Sequence, residues 1–139
     1  EYQGKKDLET ALKAKIDKFN KKRDSISKAF QLEYGQAEAK SKGLSQKAAQ
    51  ELAKNLNEKG QFLGQQLQLE EQQLQAESQA KTDTLLKEIR AFVKDYGKQY
   101  QYTYILGSNE AGSVMYGDET KDITEELLNA LNEAYKKKE

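Results

Sequence analysis

The sequence predicts a mainly α protein: a long antiparallel helical hairpin, a coiled-coil arm, with a small β-strand body and a C-terminal amphipathic helix. The first observation is a period. Apolar residues at Leu8, Leu12, Ile16, Phe19, Ile26, Phe30, Tyr34 and Ala37 recur in steps of three and four, with Arg23 the break in the series. That is one face of an α-helix. After Gly43 the period resumes at Ala49, Leu52, Leu56, Gly60, Leu63, Leu67 and, after a polar gap, Leu74. The second observation is that the two series fit each other. Facing residues of an antiparallel hairpin have sequence numbers of constant sum. Ala37 with Ala49, Tyr34 with Leu52, Phe30 with Leu56, Ile26 with Gly60, Phe19 with Leu67 and Leu12 with Leu74 share one sum, and Arg23 falls opposite Leu63. The third is composition: of 139 residues only 36% are hydrophobic, 33% are charged and none is proline. A thin seam with a large surface suits these values, and without proline no segment is forced out of helix.

Several classes of function lose support at once. The 23 basic and 23 acidic residues cancel, so the whole-chain field does not attract nucleic acid or anionic lipid. No apolar run approaches a membrane span, and membrane insertion is not expected. No signal peptide is visible at Glu1, as expected of a mature chain or one made without a leader. Cysteine and histidine are both absent, which removes thiol chemistry, the usual general base and the commonest zinc ligand.

In chain order, Glu1 to Gly4 is a lead-in whose Tyr2 packs onto whatever precedes the helix. The arm spans residues 5–100. Its first helix runs from about Lys5 to Ser41, and the basic-looking run Lys18 to Arg23, relieved by Asp17 and Asp24, reads as a solvated face rather than a phosphate site. The tip lies near 41–45, where Gly43 suits a left-handed helix stop and Ser45 suits the cap of the next helix. Leu44 has no seam partner there; it either covers the hairpin end or touches a client.

Three features mark the second helix. Gly60 and Gly64 stand in mid-helix, each costing up to ~1 kcal/mol relative to alanine, and point to a bent or flexible arm. Their flanking glutamines exclude a membrane dimerisation motif. Phe62 and Leu69 fall off the seam, seven residues apart on one face, with Ala76 next along the line. They are either laterally packed or a thin apolar track for unfolded chains. The glutamine-rich stretch from Gln65 to Gln79 carries Leu74 as its seam anchor. Beyond it Leu85, Leu86, Ile89, Phe92, Val93, Tyr96 and Tyr100 make a broad stripe with no counterpart in the first helix.

Residues 101–139 are the expected cover, a body continuous with the base of the arm. Tyr102 to Leu106 reads as a strand, Gly107 to Gly112 as a turn, and Ser113 to Tyr116 as a second strand. An amphipathic helix follows from about Thr124, capped by that residue's hydroxyl, with Leu127, Leu128, Leu131, Ala134 and Tyr135 on its buried side. A two-stranded hairpin is marginal alone in water, so the body predicts an oligomer. Its candidate contacts are Phe92, Tyr96, Tyr102, Tyr104, Leu106, Val114 and Tyr116.

The glycine spacing of Gly107 to Gly112 imitates a phosphate-binding loop, but residue 113 is serine where that motif needs lysine. Glu70-Glu71 and Glu125-Glu126 are helix neighbours and diverge. The sequence nominates no catalytic residue, cofactor or metal, and an enzyme is not expected.

The tail brings a family into view. Tyr102-Thr-Tyr-Ile-Leu-Gly, Val114-Met-Tyr-Gly-Asp118 and the Asp122-Ile-Thr helix start resemble the Skp/OmpH family of periplasmic chaperones for outer-membrane proteins, most closely members of Bacteroidetes type. As architecture the resemblance covers the chain; as sequence it is specific over about residues 96–128. It implies a periplasmic homotrimer, arms enclosing a cavity, and ATP-independent holding of unfolded outer-membrane β-barrel proteins. The chain departs from the pattern in lacking the strand before the first helix and the basic character of well-known members. The rival expectation is a coiled-coil spacer or adaptor that binds one folded partner through its β end.

Overall fold

The structure, a computed structural model, describes residues 1–107 and 114–137. It is mainly helical: α1 spans Gln3–Ser41, α2 Gln46–Gln99 and α3 Thr124–Lys136, with a 3₁₀ turn at Glu119–Lys121. The chain forms two compact units, Ala11–Ser78 and the pairing of Glu1–Thr10 with Gln79–Glu139.

In the Ala11–Ser78 unit the seam follows the apolar period. Phe19 and Leu56 are buried, and Leu12, Ile26, Phe30, Ala37, Ala49, Leu52, Gly60, Leu63, Leu67 and Leu74 are half-buried. Ile16 and Tyr34 depart from it, remaining 45% and 57% exposed. Two helices share a single line of contact, so residues at the margin of the stripe stay in water. Three ion pairs, Lys15–Glu77, Lys22–Glu70 and Glu33–Lys59, cross between α1 and α2. Their spacing is the same along both helices, so they share one register. Helical side chains lean toward their own N-terminus. The tips of two long side chains therefore meet about a turn back from each Cα, which reconciles these pairs with the seam register. All three are solvent-exposed and contribute on the order of 0.2–1 kcal/mol each. The apolar seam does most of the holding.

The same lean corrects one seam pairing. Gly60 was expected opposite Ile26, yet the side chain nearest to it is Phe30. A Cβ built on Gly60 would come within 2.9 Å of Phe30 Cζ. Phe30 stands one turn further along α1 and its ring reaches back over the glycine. Gly64 has nothing within 4 Å of its Cβ position. α2 runs unbroken through both.

The two ends of the long helices also differ from expectation. Gly43 does not adopt the left-handed backbone. The tip turns instead on two short back-bonds, Gly43 N–H to Lys40 O at 3.2 Å and Leu44 N–H to Ser41 O at 3.1 Å. Ser45 then caps α2 as anticipated, its hydroxyl accepting the Ala48 N–H at 3.4 Å. The left-handed stop lies at the other end, at Gln101 with φ 58°. Tyr102 N–H bonds Gly97 O at 2.9 Å and Gln101 N–H bonds Lys98 O at 3.3 Å. This is the Schellman pattern, in which the residue after the stop packs on the last turn. Here Tyr102 does so, its ring stacked 6.4 Å from Tyr96.

The expected β-strand body is not found in this single chain: no strand is present among the described residues. Tyr102 to Leu106 and Val114 to Tyr116 are irregular; Ser113 and most of the Gly107–Gly112 turn lie outside the described residues. A strand needs a ladder partner, and one chain offers at most a marginal hairpin. The first segment packs through its side chains instead, with Ile105 Cδ1 3.4 Å from the Cβ position of Gly97.

α3 begins differently too. Ile123 stands at the N-cap without a side-chain bond, and the acceptor for the Thr124 N–H is the Asp122 carboxylate at 2.8 Å. Thr124 is itself the first helical residue, so its hydroxyl cannot occupy the cap position. Asp118 repeats the device two residues before Thr120, taking its N–H at 2.9 Å and its hydroxyl at 2.7 Å. Both aspartates are held below the usual carboxylate range, first by the threonine hydroxyl and then by its backbone N–H.

Two predictions follow the backbone. Gly64→Ala is expected to raise stability by up to ~1 kcal/mol, whereas Gly60→Ala gains less or loses, because Phe30 must move. Equal gains in urea unfolding would contradict the packing described. Gln101→Gly relieves a left-handed non-glycine residue and is expected to add about 1 kcal/mol in the same assay.

Candidate functional site

Within Ala11–Ser78, the track anticipated on α2 is exposed. Phe62 is 58% and Leu69 57% accessible, and Ala76 lies open in line with them. Leu44 is exposed in the tip turn. The flank is almost uncharged: from Gly60 to Ala80 α2 contains eight glutamines, three glutamates and no lysine or arginine. Glutamine amides both donate and accept, so this surface offers apolar contact beside neutral hydrogen-bonding groups. A second opening lies along the seam itself. Phe30, Tyr34, Ala37, Leu52, Leu56 and Gly60 line an apolar groove of about 620 Å³, created where alanines and glycine face larger side chains. Sequence reading missed it, although the small residues Ala37, Ala49, Ala53 and Gly60 were its signal.

In the other unit the anticipated body residues split into two sets. Tyr96, 5% exposed, is the centre of a ring cluster. Phe92, Tyr100 and Tyr102 stand 6.2, 4.4 and 6.4 Å from it. Its phenol donates to Glu126 Oε1 at 2.6 Å, tying α2 to the first turn of α3. That hydrogen bond, with burial and the carboxylate's charge behind it, pushes the Tyr96 phenol up to about 12. By contrast Tyr104, Leu106 and Tyr116 are 79%, 72% and 85% exposed, and Val114 is half-buried. The structure brings the first set together and leaves the second on the surface.

α3 also closes on the start of α1. Leu127, Leu128, Leu131, Ala134 and Tyr135 are half-buried, as the amphipathic pattern predicts. Tyr2 packs edge-on against Tyr135 at 5.7 Å and folds over Gly4. Asn132 Oδ1 accepts the Gln3 N–H at 2.8 Å, supplying a partner to one of the free amides at the N-terminus of α1. Burial raises the Tyr2 phenol, with the Glu88 and Asp7 carboxylates adding to the effect. Neither Glu126 nor Asn132 was legible as a partner, because nothing local in the sequence points across such separations.

Among the described residues no group of acidic side chains is arranged to hold a metal ion. None of the helices among them is long and apolar enough to cross a membrane.

A long helical hairpin with a third helix packed at the start of α1 and the end of α2 is the class of protein that these elements define. The chain belongs to the OmpH-like family, described as "Outer membrane protein (OmpH-like)", whose model matches residues 1–131. Proteins of this family are periplasmic chaperones that bind outer-membrane proteins. No curated protein and no solved structure matches the chain.

The Tyr96–Glu126 bond carries a pH prediction. A phenol whose folded pKa is raised stabilises the fold fully below its unfolded value of 10.0, and the contribution is lost as pH rises through about 12. Thermal unfolding should show this loss across that window in the parent chain. In Tyr96→Phe the melting temperature should be lower at neutral pH and the alkaline loss smaller. Identical alkaline profiles would refute the assignment.

Proposed function

We propose that the chain is an ATP-independent holdase. In this reading it forms a homotrimer whose bodies, residues 101–139 with the base of the arm, associate, while the arms of residues 5–100 surround a cavity. Unfolded outer-membrane β-barrel proteins are held there and kept from aggregating. The observation that carries the reading is the exposed line Phe62–Leu69–Ala76 on a nearly uncharged flank of α2. Many shallow apolar contacts spread along a helix suit an unfolded chain better than a single deep pocket would. Leu44 extends contact to the tip. Gly60 and Gly64 weaken α2 intrinsically and let the arm adjust to clients of different bulk. Family membership supports the same role.

The test is dilution of an unfolded outer-membrane β-barrel protein from urea, with no nucleotide present, followed by light scattering. Suppression should saturate near three chains per client. The double variant Phe62→Ser/Leu69→Ser, with its helicity checked by circular dichroism, should need about tenfold more protein, equivalent to ~1.4 kcal/mol of lost apolar contact. Aggregation undiminished by the parent chain, together with tight binding of one folded protein, would establish the spacer instead.

A further inference from the structure

The groove along the seam of the Ala11–Ser78 unit carries a charge that the packing of the arm does not use. Phe30, Tyr34, Leu52 and Leu56 wall it, and its volume of about 620 Å³ falls in the range of sites that take a ligand. Phe30 and Gly60 lie at one end, Ser41 and Ala49 at the other. α1 rises about 16 Å between those ends, a length that five residues of extended chain also span. Among the described residues lining the groove Glu38 is the one charged group. Glu33, Glu70 and Glu77 each hold a lysine of the opposite helix, whereas the Glu38 carboxylate is exposed and has no partner among the described residues. Tyr34 stands one turn before it on the same face of α1. It belongs to the apolar period yet remains 57% exposed, and its phenol is likewise without a partner among the described residues.

We propose that this groove is a second client site, selective for short extended segments of unfolded polypeptide in which a lysine or arginine adjoins apolar side chains. Alternate side chains of an extended chain point the same way, so an apolar residue and a cation two positions apart both face the groove. The apolar side chain lies between Phe30 and Leu56. The cation meets the Glu38 carboxylate and the face of the Tyr34 ring, which attracts positive charge through its quadrupole. Apolar contact supplies most of the affinity and charge supplies the choice between segments. An acidic segment finds an unpaired carboxylate and no lining cation, and is turned away. The Phe62–Leu69–Ala76 line has no such selectivity, since its flank is neutral amide. This inference rests on the holdase reading and adds to it which stretches of a client the arm grips.

Fluorescence anisotropy of a labelled peptide, Ser-Leu-Ser-Phe-Ser-Lys-Ser, added to the full chain tests it. Binding should saturate with a Kd on the order of 100 μM, as a few shallow contacts allow. The same peptide with aspartate in place of lysine should bind about tenfold more weakly, and the difference should shrink as salt screens the exposed charges. Glu38→Lys should invert the preference. Ala53→Leu fills the groove from an exposed position and should weaken both peptides at least tenfold, with helicity unchanged by circular dichroism. Phe62→Ser/Leu69→Ser should leave peptide affinity within about twofold of the parent. Equal affinity for the two peptides, a preference unmoved by Glu38→Lys, or binding indifferent to Ala53→Leu would each overturn the proposal. A parent chain that suppresses client aggregation without this selectivity sinks the groove alone; one that selects between the peptides without suppressing aggregation sinks the holdase reading alone.

Discussion

A two-helix seam has one line of contact, and that constraint governs everything else in this chain. Each helix can hide only the residues that face the other. The hydrophobic side chains buried among the described residues are Phe19, Leu56 and Tyr96. With so little buried area, stability has to come from fit along the line and from secure ends. Phe30 leaning over Gly60, the Schellman stop at Gln101 and the Ser45 cap are the local forms this takes.

The same constraint explains why large apolar side chains are left on the outside. In a globular domain a phenylalanine or leucine in mid-helix would find cover from a third element. In the Ala11–Ser78 unit no third helix is present, so Phe62 and Leu69 face water. The two lie on one face of α2, seven residues apart, within a glutamine-rich stretch. The aromatic base solves a different problem. Tyr96 holds three neighbouring rings and a carboxylate, which lets one buried residue tie the end of α2 to α3.

What the sequence disclosed and what it hid divide along physical lines. Periodicity and number sums expose the hairpin and its seam, because both depend only on the repeat of a helix. Ser45 and the α3 stripe were readable for the same reason: cap and amphipathic face are local. The reading failed where geometry is non-local or depends on the backbone. Nothing distinguishes Gln101 as a left-handed residue, and Gly43, which had the right identity, does not take that role. The strands expected at Tyr102 to Leu106 and Val114 to Tyr116 have the right composition but no ladder partner within the described chain. Composition reports how well a segment suits a sheet, not whether a partner strand is present. Of the candidate contacts, Tyr96, Tyr102 and Phe92 converge, whereas Tyr104, Leu106 and Tyr116 are left largely exposed among the described residues.

The bond from Gln3 to Asn132 bears on how the chain is assembled in time. The two residues are 129 positions apart, so the first helix begins at an amide whose acceptor is synthesised only after both long helices. During synthesis α1 can wind and pair with α2 early, since hairpin contacts close progressively from the tip. Its first turn remains frayed until α3 arrives. Loop closure over so long a span is slow relative to helix growth. The base is therefore the last region to mature, and a nascent chain presents its tip before it acquires a settled base.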